Sequence, residues 1–198
     1  MFAAPRIPVR AMSNGTLTGT LVLVVGPSGV GKDSLIEGAR SAFAGADDVI
    51  FPRREITRSA DAGGEDHVVV TENQFHARRE LGGYLLSWGA HGFWYGIPAE
   101  VSDELRRGSV VVVNASRSVI EDARSRFSNL SIVSVNVDDE TLRVRLAARG
   151  RETEEQAARR LERARAFRVE GPDVIDFPND GPLDAAIGRF TRILRDMA

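Results

Sequence analysis

The residues that indicate a chemical function most clearly are a glycine-rich loop, the lysine that follows it and the two residues after that lysine. In order they are Gly26, Pro27, Ser28, Gly29, Val30, Gly31, Lys32, Asp33 and Ser34. Glycines allow a tight turn whose amide N–H groups, together with the N-terminus of a following helix, form a cradle for phosphate. A lysine at the end of such a loop reaches the β- and γ-phosphates of a nucleotide. The sequence therefore predicts that residues 26–34 bind ATP as a P-loop, with Lys32 as a catalytic group.

The lysine content supports this interpretation. Of the 26 lysines and arginines in the chain, Lys32 is the only lysine. Arginine replaces lysine readily on a solvated surface, but it cannot replace a compact point charge. The single lysine thus stands at the position where an ammonium group is chemically required.

The residue after the lysine departs from the usual P-loop, in which a serine or threonine hydroxyl binds Mg²⁺. Here Asp33 takes that place. A carboxylate beside phosphates is repelled unless a cation bridges them, and Mg²⁺ prefers oxygen ligands. The strand predicted at 110–113 could have supplied a metal-binding acid, but it ends at Asn114. We therefore predict that Asp33 binds Mg²⁺, the alternative being an acid that stabilises the helix N-terminus.

A group of arginines follows in the C-terminal part of the chain. Its members are Arg143, Arg145, Arg149, Arg151, Arg159, Arg160 and Arg163. Many of them can pair with glutamates on a solvated helix. Because the cluster follows a nucleotide-binding motif, some members are expected to close over the transferred phosphoryl group.

Composition limits the possible partners. The chain has 198 residues, a net charge of −2 and no cysteine, which fits one domain without disulfides or zinc–thiolate sites. This charge gives no basic field for nucleic acid, and no apolar run approaches the roughly 20 residues of a membrane span. We expect a cytoplasmic protein that binds neither nucleic acid nor membrane. The sequence leaves open whether it is a monomer or a homodimer.

The elements that must position these residues alternate between strands and helices, which is typical of a parallel α/β sheet. Strands are predicted at 20–25, 49–56, 84–88, 93–96, 110–113, 131–137 and 174–177. Helices are predicted at 32–43, 72–81, 98–107, 140–148, 154–167 and 183–194. Residues 1–19 read as a flexible tail and 20–198 as one domain. Short pieces interrupt the alternation from 53 to 100, which predicts an inserted substrate-binding subdomain.

Over residues 20–194 the chain resembles the guanylate kinases. The matching segments are 26–32, 56–58, 64–65, 93–96, 145–146, 149–150, 152–155 and 160–161. This resemblance implies a P-loop kinase with a parallel core sheet flanked by helices, an acceptor-binding subdomain at 53–100 and a helical lid at 145–160. It also implies that Arg58 and Tyr95 hold the phosphate of the acceptor. The catalytic lid residues implied by the family are Arg145, Arg149 and Arg160.

Two positions depart from that family. Guanylate kinases carry a second arginine three residues after the Thr-Arg pair, and this chain has Asp61 there. Ser87 is assigned to the place of the glutamate that pairs with the guanine edge. Losing an acid that recognises a base costs heavily in specificity. The departures therefore argue against GMP as the acceptor.

At the positions where it departs from the guanylate kinases, the chain resembles a sister family, the ribose 1,5-bisphosphate phosphokinases. The segments that carry this resemblance are 26–34, 56–67, 86–92 and 113–117. It implies that ATP and ribose 1,5-bisphosphate are converted to 5-phosphoribosyl 1-diphosphate and ADP during bacterial phosphonate breakdown, with Mg²⁺ as cofactor. The acceptor-binding residues assigned on this basis are Arg58, Ser87, Tyr95, Asn114 and Arg117.

Two alternatives remain at this point. One is a nucleoside monophosphate kinase, above all for GMP. The other is a non-catalytic binding module, because guanylate-kinase-like domains also serve as interaction platforms. The intact P-loop lysine and the lid arginines argue against a binding module.

Overall fold

The core of the molecule is a parallel sheet of five strands in the order β2-β7-β1-β8-β9. The computed structural model describes residues 17–59, 65–148, 162 and 168–198. The strands are β1 (Leu21–Val25), β2 (Val49–Ile50), β7 (Val110–Asn114), β8 (Leu130–Asn136) and β9 (Val174–Pro178). Every residue of β1 is buried, because helices cover both faces of the sheet. The predicted α/β class with a parallel core sheet is confirmed.

Helices pack against both faces of the core sheet. On one face, apolar residues of α1 (Lys32–Ala42) and α6 (Leu183–Arg195) cluster with alternate residues of β1. On the other face, α3 (Val101–Arg106) and α4 (Ile120–Arg126) contribute to a second cluster. Helix α5 (Asp139–Ala148) follows β8. Within the described part of the chain, no helix is long and apolar enough to cross a membrane.

A second sheet lies within the segment predicted as a substrate subdomain. Its order is β4-β3-β6-β5, formed by β3 (Glu55–Ile56), β4 (Val68–Val69), β5 (Tyr84–Ala90) and β6 (Phe93–Pro98). Helix α2 (Glu72–Glu80) begins with a capping box between Thr71 and Gln74. Trp88, Tyr95 and Ile97 belong to the same buried cluster as β1, so this sheet is anchored on the core.

The structure corrects several predicted boundaries. The strand predicted at 49–56 is two strands in two sheets, β2 and β3, because the chain leaves the core sheet before Pro52, which cannot donate to a strand ladder. The helix predicted from Pro98 begins at Val101, and Pro98 is paired in β6 instead. Helix α4 and strand β4 were not predicted.

The structure describes only part of the predicted N-terminal tail and of the predicted lid. The Gly19 N–H donates to the carbonyl of Leu105 at 2.8 Å, and Asn129 Nδ2 donates to the carbonyl of Thr18 at 3.0 Å. The last residues of the predicted tail are therefore bonded to the domain. Residues 1–16, the helix predicted at 154–167 apart from residue 162, and the lid beyond Ala148 lie outside the described residues.

Candidate active site

The predicted P-loop connects the central strand β1 to helix α1. Gly29 and Gly31 have φ of 102° and 93°, a left-handed conformation that glycine adopts without strain. Gly31 is also tightly packed, because a Cβ there would lie 2.8 Å from Asn179 Nδ2. The loop backbone thus has one close-packed conformation at the carboxyl edge of the sheet.

Lys32 lies over this loop. Its Nζ donates hydrogen bonds to the carbonyls of Gly26 at 2.7 Å and Pro27 at 2.9 Å. These contacts hold the ammonium group close to the loop backbone. A phosphate cradled by the loop would meet that charge directly.

Asn179, a residue that the sequence reasoning missed, braces the P-loop from the end of β9. Its side chain is 2% exposed, and its Nδ2 donates to the carbonyl of Val30 at 2.7 Å. Arg145 Nη1 donates to the same carbonyl at 3.2 Å, and its Nη2 donates to the Asn179 carbonyl at 2.7 Å. Asn179 directly follows a predicted strand at the edge where loops of parallel sheets bind ligands, and that position was the available signal.

This network gives Arg145, one of the predicted lid residues, a definite position. Both of its terminal nitrogens bind backbone carbonyls at or near the P-loop. The guanidinium therefore lies beside the P-loop. The other two predicted lid residues, Arg149 and Arg160, lie outside the described residues.

Asp33 and Asn114, which were predicted separately, are brought together. Strand β7 is the neighbour of β1, and Asn114 pairs in register with Val24. Asn114 Nδ2 donates to Asp33 Oδ1 at 2.6 Å, which orients the carboxylate beside the P-loop. No three acidic or histidine side chains of the described residues form a metal site. The carboxylate oxygens fit Mg²⁺, provided that phosphate and water oxygens complete the octahedral shell.

Arg54 is the second functional candidate that was missed. It is 8% exposed, and its Nη1 donates to the carbonyl of Asn114 at 2.8 Å. Its Nε donates to Glu65 Oε2 at 2.9 Å, and its Nη2 pairs with the other carboxylate oxygen. Burial lowers the pKa of Arg54 to about 10, although the nearby Asp33 carboxylate opposes this shift. The guanidinium therefore remains charged at neutral pH.

A cavity of about 470 Å³ lies between α1, the end of β7 and residues 52–54 and 65–66, which precede β3 and β4. Charged and amide side chains line much of it: Asp33, Glu37, Arg40, Arg54, Glu65, Asp66 and Asn114. The candidate Mg²⁺ ligand Asp33 and the buried Arg54 thus line the same cavity.

The predicted acceptor residues occupy different parts of this region. Tyr95 is 8% exposed and stacks on Trp88, with ring centroids 5.6 Å apart and planes 5° apart. Arg58 lies two residues after β3. The Nε of Arg58 is buried without a hydrogen-bond partner among the described residues. Arg117 is exposed in the 3₁₀ turn that follows β7.

Ser87 requires a correction. In the β5–β6 ladder Ser87 pairs with Gly96, and Trp88 pairs with Tyr95. Adjacent residues of a strand point to opposite faces, so Ser87 lies on the face away from Tyr95. That opposite face is covered by α2, where Trp94 stacks on Phe75 at 5.9 Å.

The face of β5 shared with Tyr95 instead carries Leu86 and Trp88, which are 1% and 7% exposed. Neither side chain can accept a hydrogen bond as a carboxylate would. Ser87 therefore lies on the other face, and the residues of β5 on the same face as Tyr95 include no carboxylate.

The parallel core sheet, the P-loop with its lysine and the second sheet facing it define a P-loop kinase. A family model described as an AAA domain matches residues 22–168. A guanylate kinase structure from Anaplasma phagocytophilum superimposes with a TM-score of 0.62 and 17% identity, covering 91% of this chain and 87% of that one, which supports the fold.

Curated relatives define the family more narrowly. Ribose 1,5-bisphosphate phosphokinase PhnN of Thiobacillus denitrificans is 43% identical over 178 residues, covering 90% of this chain and 94% of the relative. The enzyme of the same name from Rhizobium etli is 44% identical, covering 91% of each chain. The chain belongs to the ribose 1,5-bisphosphate phosphokinase family, and the predicted resemblance is confirmed.

Proposed function

We propose that this kinase transfers the γ-phosphoryl group of ATP to the 1-phosphate of ribose 1,5-bisphosphate. An oxygen of that phosphate forms the new P–O bond as the bond between the β- and γ-phosphates breaks, giving 5-phosphoribosyl 1-diphosphate and ADP. The observation that carries the proposal is family membership, because relatives named ribose 1,5-bisphosphate phosphokinase are 43% and 44% identical over about nine-tenths of this chain. The face of β5 shared with Tyr95 carries Leu86 and Trp88 and no carboxylate, which agrees with an acceptor that has no base.

On the donor side, the chain's own groups provide positioning and charge. The loop amides bind the phosphates, and the Lys32 ammonium stabilises charge that develops on the oxygen between the β- and γ-phosphates. Asn114 fixes the rotamer of Asp33 through its 2.6 Å hydrogen bond. Asp33 would hold Mg²⁺ there, and that ion would supply charge neutralisation for the phosphates. We assign no general base, because the acceptor phosphate is largely ionised near neutral pH.

On the acceptor side, Arg58 and Tyr95 are proposed to hold a phosphate of the sugar. Arginine can bind phosphate bidentately, and the buried Nε of Arg58 has no partner among the described residues. Because ATP is the donor, we place the reaction in the cytoplasm, within phosphonate breakdown.

The test is product identification. Purified protein is incubated with ATP, Mg²⁺ and ribose 1,5-bisphosphate, and the mixture is followed by ³¹P NMR. The proposal expects a pair of coupled diphosphate resonances on C1 of the sugar, formed at the rate at which ADP appears. ATP hydrolysis without a sugar diphosphate, or no ATP turnover with any phosphorylated acceptor, would contradict it.

A further inference from the structure

The buried arginine of the cleft contacts three separate parts of the molecule. Arg54 Nη1 binds the carbonyl of Asn114 at the end of core strand β7, at 2.8 Å. Its Nε and Nη2 bind the carboxylate of Glu65, which precedes β4. Its guanidinium lies 5.6 Å from the ring of Trp88 and 5.1 Å from the ring of Tyr95, both in the second sheet.

These partners belong to both halves of the proposed site. Asn114 orients Asp33 on the donor side, and Tyr95 belongs to the acceptor side. The Arg54 side chain is only 9% exposed, and the protein already provides partners for three of its nitrogens. A group so enclosed is suited to holding its neighbours, not to exchanging ligands in each turnover.

We propose that Arg54 is a positioning residue for phosphoryl transfer, which fixes the second sheet and Glu65 against the end of β7, where Asn114 lies. The inference rests on the proposed function, since it concerns the geometry of that same reaction. A planar fork with donors in several directions makes these contacts simultaneously, and an ammonium group cannot.

The neighbouring Arg53 provides a matched control. It pairs with Asp66 as Arg54 pairs with Glu65, but at 3.4 Å and with a side chain that is 55% exposed. Exposed pairs of this kind contribute little. The two arginines are adjacent in sequence and differ in whether the guanidinium reaches the core strand and the aromatic rings.

The experiment compares Arg54→Lys, Arg54→Met/Glu65→Leu, Glu65→Gln and Arg53→Met. The double variant replaces both partners of a buried ion pair by apolar residues. Such a replacement often leaves stability unchanged. For each variant, the thermal midpoint, the Kd of ATP, and kcat and KM for ribose 1,5-bisphosphate are measured. Arg54→Lys keeps the positive charge but removes the planar guanidinium. It therefore tests the need for the guanidinium even if the double variant fails to fold.

If Arg54 positions the second sheet, Arg54→Lys and the double variant lose roughly a hundredfold in kcat/KM for the acceptor, while the Kd of ATP changes little. Arg53→Met is expected to keep wild-type kinetics, and Glu65→Gln to lose less than the double variant. Wild-type kcat/KM in a folded double variant or in Arg54→Lys would overturn the inference, as would an equal loss in Glu65→Gln. An inactive wild-type protein would instead contradict the proposed function.

Discussion

Two glycines with nearly the same φ allow the contribution of P-loop packing to stability to be measured. Gly31 has φ of 93° and Gly45 has φ of 87°, so an alanine at either position meets the same backbone strain. That strain amounts to about 1–2 kcal/mol for a residue with a Cβ. A Cβ at Gly45 would meet nothing within 4 Å, whereas one at Gly31 would lie 2.8 Å from Asn179 Nδ2.

The difference between the two variants follows from the contact with Asn179. Because Asn179 is 2% exposed, its amide cannot swing into solvent, and relieving the clash breaks its 2.7 Å hydrogen bond to the Val30 carbonyl. Losing that bond costs about 1 kcal/mol beyond the strain. We expect Gly31→Ala to destabilise the protein by about 2–3 kcal/mol and Gly45→Ala by about 1–2 kcal/mol.

Denaturant unfolding measures both free energies, and titration with ATP measures binding. Gly31→Ala should also weaken ATP binding at least tenfold, because Val30 and Gly31 belong to the phosphate cradle. Gly45→Ala should bind ATP as the wild type does. Equal free energies of unfolding together with equal ATP affinities would refute the reasoning that Asn179 braces the loop.

The remaining predictions concern charged groups. Lys32→Arg should lower turnover about a hundredfold or more at saturating ATP, because the larger guanidinium cannot place a compact charge between the β- and γ-phosphates, while circular dichroism stays unchanged. Asp33→Asn should raise the Mg²⁺ concentration needed for half-maximal rate much more than it changes the KM of ATP at saturating metal. Ser87→Glu should not create efficient GMP phosphorylation, since Ser87 lies on the face of β5 covered by α2. Asp173→Asn should lower the free energy of unfolding by about 1 kcal/mol at pH 7, because the carboxylate accepts hydrogen bonds from Arg124 at 2.8 and 2.9 Å. Those hydrogen bonds lower the pKa of Asp173, so its contribution is present above the unfolded pKa of about 3.9 and is lost as pH falls through the folded value.

Each of these predictions has a clear contrary result. Near-normal turnover of Lys32→Arg would remove the phosphate-contacting role of that lysine. An unchanged Mg²⁺ titration in Asp33→Asn would reject the metal ligand, and robust GMP kinase activity in Ser87→Glu would contradict the assignment of that face. For Asp173→Asn, a stability difference from the wild type that persists at pH 2 would exclude the ionised carboxylate as its source.

The part of the site that could be predicted is the part formed by residues that are adjacent in the sequence. The loop between β1 and α1 is a contiguous pattern in which each residue type has a stated role, and the alternation of elements predicts the parallel sheet around it. Asp33 and Asn114 were identified separately, one after the lysine and one at the end of a strand. Their hydrogen bond follows from the pairing of β1 with β7, which the spacing alone does not give.

The part that could not be predicted depends on distant contacts. Arg53 and Arg54 look alike in the sequence, and only the rings of Trp88 and Tyr95, more than thirty positions away, bury the second of them. The face on which Ser87 lies depends on the pairing register of β5 with β6, and a shift of one residue in that register changes the face. No local pattern indicated either feature.

The central claim is that this kinase recognises a sugar bisphosphate and not a nucleotide. The measurement that tests it most directly is the ratio of kcat/KM for ribose 1,5-bisphosphate to kcat/KM for GMP, determined with one enzyme preparation at saturating MgATP. A site with Arg58 for a phosphate, and with Leu86 and Trp88 instead of an acid on the face of Tyr95, should favour the sugar by a factor of about 10⁴ or more. A ratio near one, or a preference for GMP, would contradict the account.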